Sequence, residues 1–339
     1  MKLRTKVHRL KLRHTFTISR ESHDVVESVV TTLKHEGITG HGEASPSSFY
    51  GDEAGFVKAK LDHAATQMTD ADPTDILDTL DRAHHLLHGN RAALCALDLA
   101  LHDWNLKREG VQLHQKLGLD ISKTPLSSFT IGISSIEHMR EKTREASGYP
   151  ILKVKVGTDA DLDVLRAMRE ETDAVFRVDA NCAWPPEETI ERSHELKTLG
   201  VQFIEQPLPP DRLDDMERAF QESALPLIAD ESSVTPDDVP GLANRFHGIN
   251  IKLMKCGGIA PALLMIQKAR ELDMKIMIGC MIETSVGISA AAQLGPLVDY
   301  LDLDGAALIS NDPFAGAENQ LGKLVYPDFP GLGVKRYGE

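Results

Sequence analysis

Between residues 151 and 255 the chain repeats one pattern: a short apolar run that ends on a charge, then a polar stretch of helical periodicity. The runs are Ile151-Leu152-Lys153-Val154-Lys155, Val175-Phe176-Arg177-Val178-Asp179, Gln202-Phe203-Ile204-Glu205, Pro226-Leu227-Ile228-Ala229-Asp230 and Ile249-Asn250-Ile251-Lys252. Their carboxylates lie 26 residues apart (205 − 179) and 25 apart (230 − 205). That is the length of one strand, one loop and one crossover helix, so the pattern predicts successive parallel βα units. A run at 126–132 precedes the series, and runs at 274–279 and 300–303 follow it. Eight strands allow the sheet to close as a TIM-type barrel.

The first part of the chain is patterned differently. Lys2, Arg4 and Lys6 alternate with Leu3, Thr5 and Val7, as in an amphipathic strand. Residues 25–33 and 38–43 read as a hairpin turned at His35-Glu36-Gly37. The polar stretches 13–24 and 45–52 read as loops, the second punctuated by Pro46 and Gly51. Apolar residues at three- and four-residue spacing predict helices over 52–67 and 75–87. The segment 91–107 is apolar nearly all round, which predicts a helix buried between two units. The expected architecture is α/β: an α+β capping domain over 1–120, completed by about 315–339, and a modified (β/α)7β barrel over 121–314.

In such a barrel Asp179, Glu205 and Asp230 occupy the C-terminal tips of three successive strands. Three carboxylates converging on one rim repel each other unless a cation holds them. An all-oxygen set favours Mg2+, with Mn2+ as the alternative, over zinc. Asn181 and Gln206 stand beside two of these acids as further polar donors. Lys153 and Lys155 alternate onto one face of their strand. Two neighbouring amines are expected to lower each other's pKa and so to serve as bases. Lys252 ends the sixth strand, diametrically across the ring from the second. Lys155 and Lys252 therefore face each other over the rim, a geometry for taking a proton from one face of a carbon and returning it to the other. Lys255 is the rival to Lys252, but it lies past the strand in a Lys-Cys-Gly-Gly turn.

Composition narrows the partners. The 339 residues are 42% hydrophobic and 26% charged, with a formal net charge of −14. That balance argues against nucleic-acid or anionic-membrane partners, which require basic surface. The four cysteines, Cys95, Cys182, Cys256 and Cys280, are widely spaced, as free thiols in a reducing cytoplasm are. The N-terminus shows no signal-peptide pattern, and no apolar run is long enough for a membrane helix. Assembly into a homo-oligomer suits a chain of this size, with no interface signal to locate it.

The strings Lys153-Val154-Lys155, Val178-Asp179-Ala180-Asn181, Ile204-Glu205-Gln206-Pro207, Ala229-Asp230-Glu231-Ser232 and Ile251-Lys252 through Gly257-Gly258 together resemble the enolase superfamily, muconate-lactonizing subgroup, over nearly the whole length. Lysine or histidine bases working beside Mg2+ are the general pattern of that superfamily. The resemblance implies a carboxylate substrate, with Lys155 and Lys252 as the two bases and Lys153 tuning Lys155. In this superfamily an acid pair such as Asp302-Leu303-Asp304 at the end of the eighth strand marks dipeptide epimerases, and it implies a site for the dipeptide's α-ammonium group. Thr130 and Cys280 are implied to line the substrate pocket. The stretch 13–24 is implied to read the second side chain. Glu-specific members carry an arginine there; this chain has Arg20, with His23 at the expected specificity position, which leaves glutamate, hydrophobic and other second residues open. On the same scaffold the alternatives are muconate cycloisomerase, o-succinylbenzoate synthase and N-acylamino acid racemase. Outside it, the alternative is a non-catalytic metal-binding scaffold.

Overall fold

The computed structural model describes residues 1–338. The chain opens with an antiparallel sheet of β1 (Lys2–Ile18), β2 (Glu21–His35) and β3 (Ile38–Ala44), in that order. The stretch 13–24 is not the irregular loop its polarity suggests. It is the far end of the β1–β2 ribbon: Phe16, Thr17 and Ile18 pair with His23, Ser22 and Glu21. A register shift between Lys11 and Phe16 moves side chains to the opposite face, so the alternation that marks a strand breaks there although the pairing resumes.

Helix α1 (Ala54–Gln67), α2 (Ile76–Leu86) and α3 (Arg91–Glu109) follow. Asn90 caps α3 by accepting a hydrogen bond from Ala93 N, and Gly110 ends it in the left-handed conformation. Helix α3 lies so close to β3 that only glycine fits between them. A Cβ on Gly42 would stand 2.0 Å from the Ala96 carbonyl oxygen, and one on Gly40 2.3 Å from that of Ala100. Its other side meets the barrel, where Asp98 Oδ1 accepts from Ile259 N at 2.8 Å. Helix α3 is therefore covered on both sides, as its apolar circumference predicts.

The barrel strands are β4 (Phe129–Ile131), β5 (Ile151–Lys155), β6 (Val175–Asp179), β7 (Val201–Glu205), β8 (Leu227–Ala229), β9 (Gly248–Ile251), β10 (Lys275–Gly279) and β11 (Tyr300–Asp302). They are parallel and run in chain order. The ring closes where Ser127 bridges Leu301 and Ser128 N donates to the Leu301 carbonyl at 3.1 Å. Crossover helices join the strands, the last at Ser285–Ala292 before β11, and the chain leaves the barrel after β11 without another. The final segment touches both units. Gly322 O accepts from Ser127 N below β4, while Leu332 N donates to Asp103 of α3. Among the described residues no helix is long and apolar enough to cross a membrane, and all four cysteines are free.

Sheet and barrel also meet through acids. Buried Glu43, in β3, accepts from Ser28 Oγ, Thr284 N (2.9 Å), Thr284 Oγ1 (2.6 Å) and Gly287 N (2.9 Å). Burial, and then the charge of Glu43, push buried Glu283 up to about 8, while Lys252 pulls the other way. A carboxyl raised above its unfolded value of 4.5 favours the fold fully below that value. This contribution is lost as pH climbs through about 8. Glu283→Gln is therefore expected to flatten the decline of the thermal midpoint between pH 6 and pH 9, an effect on the order of a few kcal/mol. Unfolding scans of both proteins across that range check it, and parallel curves would contradict it.

Candidate active site

Strand register brings the expected residues to one rim. Lys155 pairs in register with Asp179, and Asp179 with Glu205. Asp230 directly follows β8, and Lys252 directly follows β9. The carboxylates of Asp179, Glu205 and Asp230 are buried, with ligand oxygens all within 4.8 Å of one another. Such a cluster cannot stay charged in a dry interior without counter-charges. Lysines supply them. Lys153 Nζ stands 3.1 Å from Asp179, 2.8 Å from Glu205 and 2.8 Å from Asp302. Lys155 Nζ stands 2.7 Å from Asp179, and Lys252 Nζ 2.8 Å from Asp230 Oδ2.

Lys255 has a different place. Its ammonium donates to Asp230 Oδ1 (2.6 Å), the Asp230 carbonyl (2.6 Å) and the Asn250 carbonyl (3.1 Å), and it is sealed from the cavity. Lys252, not Lys255, lines the open space. Asn181 and Gln206 hold the ligand loops. Asn181 N donates to Asp179 Oδ1 at 3.0 Å, and Gln206 Oε1 accepts from Asp230 N (2.8 Å) and Ser232 N (3.1 Å). Asn181, Cys182 and Gln206 all take positive φ, which folds the backbone sharply behind the acids. Two neighbours escape any sequence signal: Asn250, whose Nδ2 donates to Glu205 Oε1 at 2.8 Å, and Glu231, whose Oε1 accepts from Asn181 Nδ2 at 3.3 Å.

The lysine pKa shifts run against the expectation from sequence. Burial pulls Lys153 down, but Asp302, Glu205 and Asp179 outweigh it and hold the ammonium well above its usual value. Lys252 is raised in the same way, against burial, by Asp230. Each amine has a carboxylate, not another amine, as its nearest charge. Asp179 is held below the usual carboxylate range because Lys155 and Lys153 overcome burial. Glu205 goes the other way, pushed up to about 8 by burial and by Asp179 against the pull of Lys153. Glu205 Oε2 has only the ammonium of Lys153, at 2.8 Å, as its counter-charge. A buried all-oxygen triad whose ligand atoms lie within 4.8 Å of one another fits a hard divalent cation. Such a cation would engage the oxygens that now hold protons on the lysines.

Across the ring stand Asp302 and Asp304. Asp302 accepts from Ser128 Oγ at 2.7 Å and from Lys153, and Asp304 Oδ2 accepts from Thr130 N at 2.6 Å. Burial, and then the charge of Asp302, push Asp304 up to about 7. Thr130 and Cys280 line the same cavity of about 470 Å³, with Lys153, Lys155, Lys252, Asp230, Asp302 and Asp304.

The tip of the β1–β2 ribbon roofs that cavity. Arg20 Nη1 donates to the Asn181 carbonyl at 3.0 Å, its Nη2 lies 2.8 Å from Glu231, and its guanidinium stacks 4.5 Å over Phe49. Ser19 Oγ reaches the same carbonyl at 3.2 Å. Arg20, expected to read the substrate, lines the cavity and at the same time ties roof to barrel. His23 does line the cavity, paired with Glu21 at 3.3 Å. Tyr50 reaches in from the 45–52 loop, its phenol pushed up by burial and by Asp230 and Glu231. Nothing in the local sequence distinguishes Tyr50 from a packing aromatic.

Comparison with known proteins follows the same lines. Residues 2–118 match the mandelate racemase / muconate lactonizing enzyme N-terminal domain, and residues 136–336 the enolase C-terminal domain-like model. The chain is 41% identical to the L-Ala-D/L-amino acid epimerase of Flavobacterium johnsoniae, covering 98% of this chain and 99% of that one. It is 42% identical to the L-Ala-D/L-Glu epimerase of Bacteroides thetaiotaomicron, covering 99% and 88%. The crystal structure of the dipeptide epimerase from Enterococcus faecalis, complexed with Mg and L-Leu-L-Tyr, superposes with a TM-score of 0.93 at 28% identity, covering 99% of each chain.

Proposed function

The chain belongs to the mandelate racemase / muconate lactonizing enzyme family of the enolase superfamily, and from that premise we propose that it is a dipeptide epimerase acting by 1,1-proton transfer with Mg2+. The substrate is an L-Ala-Xaa dipeptide, and the reacting centre is the α-carbon of Xaa. One observation carries the reading. Two amines, Lys155 and Lys252, enter one cavity from β5 and from just beyond β9, four strands apart in an eight-stranded ring. An acid triad and an acid pair fill the arcs between them.

Asp179, Glu205 and Asp230 would hold the cation, which when bound supplies positive charge beside the substrate carboxylate. The chain's own residues do the rest. The Lys155 amine takes the α-proton from one face, and the electron pair of that C–H bond spreads toward the carboxylate. The Lys252 ammonium gives a proton to the opposite face. In the reverse direction the roles exchange, so the pair ends each turnover with its protons redistributed and then re-equilibrated with water. Lys153 fixes Asp179, Glu205 and Asp302 in register and stays charged. Asp302 and Asp304 receive the α-ammonium of the N-terminal residue, a cation suited to paired carboxylates. This pair favours a dipeptide over substrates of the alternative activities, which bring no ammonium group. The facing amines argue against a non-catalytic scaffold.

Incubating the protein with Mg2+ and L-Ala-L-Xaa dipeptides in D2O is expected to place one deuterium at the Xaa α-carbon and to generate the other epimer, both read by mass spectrometry and chromatography. Absence of deuterium from every dipeptide would defeat the reading. The double variant Asp302→Asn, Asp304→Asn is expected to bind Mg2+ but to lose about 10²-fold or more in kcat/KM, because the ammonium then loses its counter-charge.

A further inference from the structure

We propose that the roof of this cavity discriminates by charge, rejecting an acidic side chain on the second residue of the dipeptide and accepting neutral or cationic ones. This inference rests on the epimerase reading and adds the substrate class to it.

The direction of that side chain follows from the ring. With the α-carbon held between Lys155 and Lys252, its other three substituents lie across the axis joining the two amines. The carboxylate turns to the acid triad on β6 to β8. The amide nitrogen turns to the opposite arc, where Asp302 and Asp304 stand. Only the mouth remains for the side chain, and the mouth is covered by the tip of the β1–β2 ribbon and the loop before α1. The ribbon supplies apolar surface, including Ile18 and Val25, and ribbon and loop both supply acids that line the cavity: Glu21 and Glu27 from the first, Asp52 and Glu53 from the second.

Each cation that lines the cavity already has a partner in the fold. Arg20 is engaged by Glu231 at 2.8 Å and by the Asn181 carbonyl at 3.0 Å. Lys153, Lys155 and Lys252 are engaged below by the triad and Asp302. His23 is paired with Glu21 at 3.3 Å. Glu27 has Arg9 at 4.0 Å, and Asp52 accepts from the neutral amide of Asn90 at 2.8 Å, with Arg91 as its cationic neighbour outside the cavity lining. A glutamate side chain therefore ends among like charges, whereas a glutamine of the same shape does not, and a lysine finds an apolar channel for its stem and acids for its head.

Isosteric pairs isolate the charge. L-Ala-L-Gln is expected to exceed L-Ala-L-Glu in kcat/KM by about tenfold or more, and L-Ala-L-Lys to match or exceed L-Ala-L-norleucine. The Gln-over-Glu ratio is expected to shrink as salt is raised and in the double variant Glu21→Gln, Glu53→Gln. If that variant does not fold, the salt dependence of the wild-type ratio decides alone. Equal or better turnover of L-Ala-L-Glu overturns the proposal and leaves the epimerase reading standing. Absence of α-deuterium in all four dipeptides overturns the epimerase reading itself.

Discussion

Lys155→Ala and Lys252→Ala, made separately, are each expected to end interconversion of the epimers, with kcat reduced by about 10³-fold or more. Each variant is nonetheless expected to keep exchanging the α-proton of one epimer with D2O, and the two variants to retain opposite epimers. The asymmetry follows from the ring, because each amine reaches only the face of the α-carbon turned toward its own strand. Both variants are expected to fold. Without Lys155, Asp179 still has Lys153 at 3.1 Å, and without Lys252, Asp230 still has Lys255 at 2.6 Å. Lys255→Met is the informative contrast. It removes three buried hydrogen bonds from a side chain sealed off the cavity, so its cost falls on stability and cation retention, not on which epimer exchanges. Deuterium exchange followed separately for each epimer checks all three variants. Exchange of both epimers in either alanine variant would rule out a two-base mechanism.

The barrel was legible because its strands end on charged residues at a regular spacing. Spacings of 26 and 25 residues between Asp179, Glu205 and Asp230 encode both a βα repeat and a shared rim. The buried helix α3 was legible for a similar reason, since covering both sides leaves no polar face. What stayed hidden depended on pairings between distant parts of the chain. The strand over 13–18 was obscured by the register shift after Lys11, which moves side chains to the other face without ending the ribbon. Arg20 reads as a free cation until the fold sets Glu231 and the Asn181 carbonyl beside it. The lysine pKa shifts failed because the sign depends on which charge is nearest in space. Along β5 the nearest charge to Lys153 is Lys155, but in the folded barrel Glu205 and Asp302 each stand 2.8 Å from it. Thus a strand's own sequence tells which side chains share a face, while other strands set their protonation.

Removing divalent cations is expected to abolish turnover and to lower the thermal midpoint, and Mg2+ is expected to restore both. The physical basis is the triad itself. Its oxygens lie within 4.8 Å of one another in a buried pocket, where their repulsion is offset by the buried ammonium groups of Lys153, Lys155, Lys252 and Lys255. A cation bound to the folded state alone stabilises it by about 2.7 kcal/mol at a hundred times its dissociation constant. Glu205→Gln is the variant that separates this from a merely structural role. Asp230 is the poorer choice, because its loss strands Lys252 and Lys255 with no acid of the triad in contact, a change on the order of 3–5 kcal/mol. Glu205 keeps one hydrogen bond, from Asn250, which an amide oxygen still accepts, and Lys153, 2.8 Å from the other oxygen, keeps Asp179 and Asp302 as counter-charges. The Gln variant should therefore fold, show a thermal midpoint indifferent to Mg2+, and turn over no dipeptide. Titration calorimetry and unfolding scans with and without chelator read the binding directly. A wild-type protein whose midpoint and turnover both ignore the chelator would remove the cation from the site, and with it the reason three acids share one rim.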